Sequence, residues 1–473
     1  DRFILSAGHE SALIYSMLTQ IGWLKIEDLQ AFRQLHSKTP GHPEVEMSGI
    51  EATTGPLGQG FGMAVGMATA ESMLRSRVSD LIDHYTYVVA GDGDFQEPIV
   101  LGAASMAGHW GLSRLIVFYD SNNAQISGNV DRSDSTNYNT VFEGFGWHVQ
   151  EIDGHDHEQI RQALEKAQVV DRPSLIIGKT IMAKGSASME GDHETHGAPL
   201  PQAEINATKE KLGLPLESFY LPSEVISHFQ NRFEELNKNA IIWDKKVSDS
   251  CKDRDYIFLW DATVKDQVGE IQFPEFPSGE SIATRKAFGA TLDVFAKNLP
   301  SIVGGSADLE PSNYTGNFAH TYGDFNKKNR SGRNLAFGVR EFPMAAAMNG
   351  IALHGGLIPF GGTFLVFADY ERPALRLGAI QNCRVIHEFT HDSFWVGEDG
   401  PTHQPIEHAM GLRVIPNLNV FRPADAKETA ACFKMAILDK NTPNALLLTR
   451  QGVKVLDQTM DETVENVSKG AYA

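Results

Sequence analysis

Two short apolar runs early in the chain flank a helical pattern. Residues 85–90 (YTYVVA) and 115–120 (LIVFYD) are mostly β-branched, aromatic or aliphatic, and they lead into the polar turns Gly91-Asp92-Gly93 and Ser121-Asn122-Asn123. Between the runs, apolar residues recur on one side at helical spacing: Ile99, Val100, Ala103, Ala104, Ala107 and Trp110. The pattern predicts a β-α-β unit with two buried parallel strands.

The two polar turns are expected to meet in space. Parallel strands open on the same edge of a sheet, so Asp92 and Asn122, which are 122 − 92 = 30 residues apart, become neighbours there. A carboxylate and an amide oxygen suit Mg²⁺ or Ca²⁺, and glycines allow the main chain to approach a diphosphate closely. A simple tight turn with Asn122 as a helix cap fits the same residues.

A second block with the same alternation runs from about residue 281 to the end. Its segments 302–313, 335–356, 357–370, 384–405 and 444–452 each read as a strand followed by a polar loop. The expected fold class is therefore α/β, with two parallel-sheet domains in series. We predict a first domain at 1–222, a connecting segment with short helices at 223–280, and a second domain at 281–473.

Composition narrows the class of protein. A formal net charge of −19 opposes binding to nucleic acid. No apolar run approaches the roughly 18 residues of a membrane span, so no membrane partner is expected. Cys251, Cys383 and Cys432 are widely spaced and odd in number, which indicates neither a disulfide framework nor a zinc cluster. A reducing, cytoplasmic location is predicted.

Eight segments in order carry a family resemblance. They are HSKTPGHPE (36–44), TTGPLGQG (53–60), GDGDFQE (91–97), THGAPL (195–200), GGSADLEPSN (304–313), GVREFPM (338–344), GTFLVFADY (362–370) and THDSFWVGEDGPTHQP (390–405). Together they resemble the transketolase family over nearly the whole chain. Relative to that family, we expect an amino-terminal segment and a carboxyl-terminal domain to be missing from the numbered sequence.

The resemblance implies a function and an assembly. It implies reversible transfer of a two-carbon ketol group, in the pentose phosphate pathway, from a ketose phosphate of the xylulose 5-phosphate type to an aldose phosphate of the ribose 5-phosphate type. The implied cofactors are thiamine diphosphate and Mg²⁺ or Ca²⁺. The implied partner is a second copy of the chain. In such a homodimer the first domain of one subunit binds diphosphate and metal, the second domain of the other binds the aminopyrimidine, and the active sites lie at the subunit interface.

The resemblance also assigns cofactor-binding residues. Asp92, Asn122 and the carbonyl of Ala124 match metal ligands, and the Glu341 carboxyl matches the catalytic group that hydrogen-bonds the pyrimidine nitrogen. A helix-start charge is the other interpretation of Glu341. The further cofactor contacts are His9, Gly55, Pro56, Leu57, Gly93, Glu97, Asn122, His196, Asp308 and the aromatic residues Phe364, Phe367 and Tyr370, which a plain core would also explain.

Most of the residues that match substrate contacts of the family are histidines and arginines. His42, His196 and His403 match catalytic histidines, whose imidazoles suit proton transfer near neutral pH. The residues that match sugar-phosphate contacts are His196, Arg285, Ser312, His391, Asp399, His403 and Arg450. Two guanidinium groups would supply the local positive charge that an acidic protein needs to hold a phosphate.

Some positions depart from the family pattern, and alternatives remain. Glu10 replaces a small residue, Pro98 replaces a common glycine, and Phe394-Trp395 replaces the usual Ile-Gly, which affects substrate fit. The alternatives are a dihydroxyacetone synthase, a deoxyxylulose-phosphate synthase-like enzyme, and a truncated form without catalysis. A metal-dependent hydrolase built on the Gly91-Asp92-Gly93 edge is a further alternative from a different class.

Overall fold

The structure is a computed structural model that describes residues 1–470 and 472. It divides into two compact units, residues 1–65 with 84–249 and residues 66–83 with 250–473. Residues 66–83, which fall inside the predicted first domain, thus group with the second unit. The predicted end of the second domain, residue 473, lies outside the described residues.

A five-stranded parallel sheet forms the centre of the first unit. Its strand order is β1-β2-β3-β7-β6, and every neighbouring pair is parallel. The strands of this unit are β1 Arg2–Leu5, β2 Thr86–Gly91, β3 Leu115–Ser121, β4 Ala124–Gln125, β5 Gly128–Asn129, β6 His148–Asp153 and β7 Ser174–Lys179. The two runs predicted as parallel strands are the adjacent β2 and β3, so that prediction is confirmed.

Helices follow the strands as the pattern predicts. They are α1 Ser11–Gln20, α2 Ile26–Gln30, α3 Gln59–Val78, α4 Asp92–Gln96, α5 Pro98–Trp110, α6 Tyr138–Gly144, α7 His157–Val169, α8 Gln202–Lys211 and α9 Ser223–Ser250. Pro98 starts α5 and Gly111 ends it in the left-handed region, at φ 64°. Every apolar position predicted for the inner face of α5 is buried.

The second unit repeats the architecture with its own sheet. Its helices and strands are α10 Arg254–Ala262, β8 Ser281–Ala283, α11 Thr284–Asn298, β9 Ile302–Ser306, α12 Glu310–Asn313, α13 Gly316–Tyr322, α14 Glu341–His354, β10 Ile358–Phe364, α15 Ala368–Ile380, β11 Ile386–Thr390, α16 His408–Arg413, β12 Asn419–Phe421, α17 Ala426–Leu438, β13 Asn444–Leu447, β14 Gly452–Lys454 and α18 Met460–Ser468. The main sheet has the order β12-β13-β11-β10-β9, all parallel. The predicted α/β class is confirmed for both units.

Two details of the second block differ from the sequence prediction. The segment 335–356 begins without a strand, because its main chain only borders β9: Leu335 N donates to Gly304 O, and Asn334 forms an isolated bridge to Gly304. The short strand β12 was not predicted, since three residues carry too little periodicity to stand out.

The connecting segment contains a longer helix than expected. Helix α9 spans 28 residues without glycine or proline, so nothing in its sequence interrupts it. The prediction of only short helices there was wrong. Within the described residues, no helix combines the length and the apolar character needed to cross a membrane.

Candidate functional site

Asp92 lies where β2 ends and α4 begins, as the first residue of that helix. Its side chain is buried, and it accepts hydrogen bonds from Tyr119 Oη at 2.5 Å and from Asn122 N at 3.2 Å. Burial raises the pKa of Asp92, and these two hydrogen bonds act in the opposite direction. The predicted meeting of Asp92 with Asn122 at one sheet edge is therefore present in the fold.

Asn122 brings further oxygen atoms to the same edge. Its Oδ1 accepts from Ala124 N at 2.9 Å, and its Nδ2 donates to Asp120 Oδ2 at 2.9 Å. The turn is made possible by Asn123, which has φ 55° in the left-handed region that asparagine tolerates. Carboxylate, amide and carbonyl oxygens gathered on one loop pair are the donors that Mg²⁺ and Ca²⁺ take.

A cavity of about 1120 Å³ opens at this edge within the first unit. Its walls include the carboxyl groups of Glu10, Asp92, Glu97 and Asp120, whereas the described lining supplies one guanidinium, from Arg132. A diphosphate alone would be repelled by the carboxylates of this set. A divalent cation between the carboxylates and the phosphates removes the repulsion, so the donor set fits a metal-bound diphosphate.

Asp94, which sequence reasoning missed, ties the loops around this cavity together. It is fully buried and accepts hydrogen bonds from Ser6 Oγ at 2.7 Å, Gly58 N at 2.7 Å and Gly91 N at 3.0 Å. Burial raises the pKa of Asp94. Two features of the sequence could have indicated this role. They are the second carboxylate of the GDGD motif and the position of Ser6 directly after the first strand, β1.

Glycines at the cavity permit close approach of neighbouring loops. A Cβ on Gly93 would lie 2.8 Å from Leu57 Cδ1, and one on Gly55 would lie 3.1 Å from the His42 ring. Gly55 also has φ 135°, which an L side chain rarely adopts. The predicted contacts Gly55, Leu57 and Gly93 therefore belong to one tightly packed neighbourhood, and the adjoining Pro56 is exposed.

Three of the predicted histidines come together beside the cavity. The rings of His9 and His196 are 4.9 Å apart, and the pKa of His9 is lowered to about 4 by burial and then by His196 and His42. Burial also lowers the pKa of His196. Both imidazoles are neutral at pH 7, and a neutral imidazole can accept a proton from a hydroxyl group.

Two of the departures from the family pattern, Glu10 and Pro98, line the cavity, and Glu10 brings an ionisable group to it. Burial, with Asp120 and Asp94 nearby, raises the pKa of Glu10 to about 8. Its carboxyl is therefore neutral at pH 7 and adds no negative charge beside the metal-ligand candidates.

In the second unit, Glu341 begins α14 with a side chain that is only 9% exposed. Burial raises its pKa. A protonated carboxyl can donate a hydrogen bond to a ring nitrogen, which a carboxylate cannot. Its position at a helix start also fits the dipole interpretation, but a solvated helix-start charge would not need this degree of burial.

An aromatic row lies between β10 and the first turn of α15. The rings of Phe364 and Phe367 are stacked at 5.9 Å, and Phe367 meets Tyr370 edge-on at 6.1 Å. Phe364 is 8% exposed, as a core residue would be, whereas Tyr370 is 64% exposed. A plain core therefore explains Phe364 but not Tyr370, and the row presents a surface on which a planar ring can stack.

His391 and His403 pack against the same row. The His391 ring lies 3.8 Å from Phe364, and the His403 ring lies 5.4 Å from Phe367. The pKa of His391 is lowered to about 4, chiefly by burial and then by Arg285, Arg450 and His403. His391 is therefore a neutral group at pH 7, although two guanidinium groups are close to it.

The predicted phosphate contacts share this region of the second unit. Arg285 donates to Ser312 O at 2.8 Å, and burial, followed by nearby Arg450, lowers its pKa. Arg450 pairs with Glu398 at 2.5 Å and remains partly exposed. Asp399 is exposed on the same loop as Glu398. The two guanidinium groups form the local cationic spot that a sugar phosphate requires.

The remaining predicted contacts are Glu97 and Asp308. Glu97 lies between α4 and α5 and lines the cavity of the first unit. Asp308 follows β9, is exposed and has φ 63°. The ligand roles of all these residues stay predictions.

Comparison with known proteins gives consistent matches over both units. Residues 1–258 match the family described as transketolase, thiamine diphosphate binding domain, and residues 280–455 match transketolase, pyrimidine binding domain. The transketolase of Bacillus subtilis (strain 168) is 48% identical over 488 residues, which covers 100% of this chain and 73% of that protein.

Solved structures agree with the sequence matches. The transketolase from Leishmania mexicana superposes with a TM-score of 0.95 at 39% identity, covering 100% of this chain and 72% of that one. A transketolase from Pichia stipitis in complex with sedoheptulose 7-phosphate gives a TM-score of 0.94 at 38% identity, with coverage of 100% and 72%.

Proposed function

Because this chain belongs to the transketolase family of thiamine-diphosphate-dependent transferases, we propose that the residues described above carry out ketol transfer in the following roles. The activity is transfer of a two-carbon ketol group from a ketose phosphate to an aldose phosphate. Thiamine diphosphate is the cofactor. The individual residue roles, the metal ion, the assembly and the preferred sugars are proposals.

The cluster at the β2 and β3 edge is the observation that carries the residue assignment. Asp92 accepts from Asn122 N at 3.2 Å, and Asn122 Oδ1 accepts from Ala124 N at 2.9 Å, beside a cavity with an excess of carboxyl groups. These three residues would hold Mg²⁺ or Ca²⁺, which in turn neutralises the diphosphate. Tyr119 fixes the Asp92 carboxylate from behind.

The second unit supplies the groups for the pyrimidine ring. When bound, thiamine diphosphate supplies a nucleophilic thiazolium carbon that forms and breaks carbon–carbon bonds. Glu341 would donate a hydrogen bond to the pyrimidine nitrogen, and Phe364, Phe367 and Tyr370 would hold the ring plane. These groups orient the cofactor and tune its basicity.

The histidines and arginines would act on the sugar. His42 and His196, with His9 beside them at the cofactor, can accept hydroxyl protons, and donors at His391 and His403 can stabilise a developing alkoxide. Arg285 and Arg450 would grip the terminal phosphate, which favours phosphorylated donors and acceptors of the xylulose 5-phosphate and ribose 5-phosphate type.

A substrate panel tests this assignment. Purified chain with thiamine diphosphate and Mg²⁺ is given xylulose 5-phosphate and ribose 5-phosphate, and sedoheptulose 7-phosphate is measured as the product. Its formation supports the proposed substrates. Turnover only with formaldehyde or pyruvate would instead favour a dihydroxyacetone synthase or a deoxyxylulose-phosphate synthase-like enzyme.

We propose a homodimer in which each active site takes one domain from each subunit. Mixing two impaired variants, Asp92→Asn and Glu341→Ala, at a Mg²⁺ concentration that saturates the wild type but not Asp92→Asn, tests this arrangement. If sites form between subunits, a mixed dimer contains one site with both lesions and one site with neither, so mixing restores part of the activity. Absence of recovery, in mixtures shown by mass to contain mixed dimers, would contradict the proposal.

Two further proposals concern the boundaries of the domains and the location of the protein. We keep the bounds 1–222, 223–280 and 281–473, which limited proteolysis followed by mass measurement would check. A cytoplasmic location is proposed from cysteine usage, because Cys251, Cys383 and Cys432 are free thiols. Fractionation of the source cells would test it.

A further inference from the structure

A carboxyl group is buried in β11 next to a glycine of the neighbouring strand. Glu388 is 0% exposed, and it is in parallel register with Gly362 of β10. A Cβ on Gly362 would lie 2.5 Å from Glu388 Oε2 and 2.7 Å from the Asn313 amide group. The glycine therefore leaves the space in which the carboxyl and the amide meet. Burial of an ionisable group inside a sheet is unfavourable, so this contact calls for an explanation.

Asn313 connects this carboxyl to a short helix. It is the last residue of α12, it is 0% exposed, and its amide group lies 3.3 Å from Glu388 Oε2. When the amide is oriented so that both of its ends are satisfied, Nδ2 donates to Leu309 O at 2.9 Å and Oδ1 accepts from Thr363 N at 3.0 Å. Oδ1 then faces Glu388, so the Glu388 carboxyl donates the hydrogen bond between them. Burial supports this direction, because it holds the pKa of Glu388 well above its usual range.

The residues on either side of Asn313 contact Arg285. Arg285 Nη1 donates to Ser312 O at 2.8 Å, and the guanidinium lies over the Tyr314 ring, 5.2 Å from its centroid. Tyr314 follows α12 in the left-handed region, at φ 59°, so the chain turns sharply there. Ser312 and Tyr314 therefore hold the guanidinium, and Asn313 between them anchors the same segment to the sheet.

Helix α12 depends on such anchors for its position. It has only four residues, Glu310–Asn313, and a helix of this length is not stable without tertiary contacts. At its start, Leu309 N donates to Ser306 Oγ at 2.9 Å. At its end, the Asn313 amide contacts both β10, at Thr363, and β11, at Glu388. Removal of the Glu388 contact would therefore loosen the end of the helix that holds Arg285.

We propose that Glu388 is a positioning residue for phosphate binding: through Asn313 it fixes α12, which holds the Arg285 guanidinium in the orientation that binds the sugar's terminal phosphate. The inference rests on the proposed role of Arg285. Glu388 and Asn313 are both fully buried, so neither is accessible to a substrate. Their effect is geometric: a guanidinium binds phosphate through a planar set of donors, and this set must be aimed correctly.

Two substitutions of similar length test the hydrogen bond itself. The full chain with thiamine diphosphate and Mg²⁺ is assayed with xylulose 5-phosphate and ribose 5-phosphate, and inorganic phosphate is added as a competitive inhibitor. In Glu388→Met, which cannot donate to Asn313, the KM for xylulose 5-phosphate and the Ki for phosphate should rise about tenfold, the size of one lost buried hydrogen bond, while kcat changes little. Glu388→Gln retains a donor, so both values should stay close to those of the wild type.

His387→Met is the matched control on the same strand. His387 is 1% exposed and is in register with Gly361, where a Cβ would lie 2.6 Å from Met348 Cε, so it points to the opposite face of the sheet. The substitution removes a buried polar group without touching α12, and KM and Ki should match the wild type.

A second variant breaks the same contact from its other side. Asn313→Ala is expected to raise KM and Ki as Glu388→Met does, and thermal melting shows which variants are folded. Unchanged KM and Ki in whichever of these two variants fold would overturn the proposal. An equal rise in Glu388→Gln or in His387→Met would also overturn it, because the effect would then not depend on the hydrogen bond to Asn313.

Arg285→Ala separates failure of this inference from failure of the proposed function. Loss of the guanidinium is expected to raise the Ki for phosphate by more than Glu388→Met does, because the binding group itself is removed. If Arg285→Ala kept the wild-type Ki, both the assigned role of Arg285 and the role of Glu388 would be wrong. If it raised the Ki while a folded Glu388→Met did not, only the role of Glu388 would be wrong.

Discussion

The two parallel sheets place their ionisable side chains differently. In the first sheet, Asp92 and Asp120 lie where strands end, beside main-chain donors and an open cavity. In the second, His387 and Glu388 lie inside β11 and are almost wholly buried. At an edge, a carboxylate can be neutralised by a cation; inside a sheet, only protonation or a buried partner can do so. The first arrangement suits metal binding, and the second leaves its ionisable groups to hydrogen-bond with one another inside the protein.

The largest expected effect comes from Glu341, which lies in the second unit at the start of α14. Glu341→Ala is expected to lower kcat by roughly 10²–10⁴-fold, because the hydrogen bond that tunes the cofactor is lost. Steady-state kinetics with saturating cofactor measure it. Glu224→Ala, which removes a first-turn carboxylate from α9, is the control and should leave kcat unchanged. Near-normal turnover in Glu341→Ala would contradict the mechanism.

Asp92→Asn tests the edge of the first sheet. Removal of a charged ligand is expected to raise the Mg²⁺ concentration needed for cofactor binding by about 100-fold, and chelation of the metal should release the cofactor from the wild type. Titration of Mg²⁺ in the presence of thiamine diphosphate measures both effects. Asp131→Asn, an exposed carboxylate in the same loop region, should behave like the wild type. Equal metal dependence in the two variants would remove Asp92 from the ligand set.

Tyr119→Phe sharpens the same comparison with a smaller change. The phenol donates to Asp92 at 2.5 Å, so its loss frees the carboxylate to rotate and should raise the Mg²⁺ requirement by roughly tenfold. Tyr87→Phe provides the control, since that hydroxyl accepts from Gln168 away from the cavity. A metal requirement unchanged in Tyr119→Phe would show that the hydrogen bond does not orient Asp92.

The smallest expected effect is a change in the pH dependence of thermal stability in Glu388→Gln. Burial holds the pKa of Glu388 well above its ordinary value, so the folded state keeps a proton that the unfolded state releases. That contribution is complete below the unfolded pKa and is lost as the pH rises toward the folded pKa. From about pH 5 to about pH 8, the Tm of the wild type should therefore fall by about 2–4 °C more than that of the variant.

Glu280→Gln, an exposed carboxylate, is the control for this stability measurement. Its Tm should follow the wild type at each pH. Parallel Tm curves for the wild type and Glu388→Gln would mean that Glu388 titrates alike in the folded and unfolded chain.

The sequence predicted the cluster at the edge of the first sheet better than the buried side-chain contact in the second unit. Asp92 and Asn122 could be placed together because parallel strands bring successive strand ends to one edge, a rule that needs no knowledge of side-chain packing. Glu371 in α15 and His387 in β11 are both buried, and their side chains meet at 3.0 Å, but they could not be paired in this way. They are 16 residues apart on a helix and a strand, and nothing in the sequence states which polar residues of an apolar segment are buried.

Two other features could not be predicted from the sequence because they depend on tertiary contacts. The buried role of Asp94 depends on three loops that converge only in the folded chain. The segment that starts at Leu335 has strand-like composition, but beside it the main chain forms only isolated bridges, from Asn334 to Gly304 and to Asp324. In both cases tertiary contacts decide what composition leaves open.

The consecutive glycines of β10 constrain how this sheet can mutate. A methyl group at Gly361 would lie 2.6 Å from Met348 Cε, and one at Gly362 would lie 2.5 Å from Glu388 Oε2. A side chain at position 362 would therefore force the Glu388 carboxyl and the Asn313 amide, which lies 2.7 Å from the same Cβ position, to move. Substitutions at positions 362 and 388 are thus expected to be coupled, so that a larger residue at 362 costs less when position 388 carries a smaller side chain.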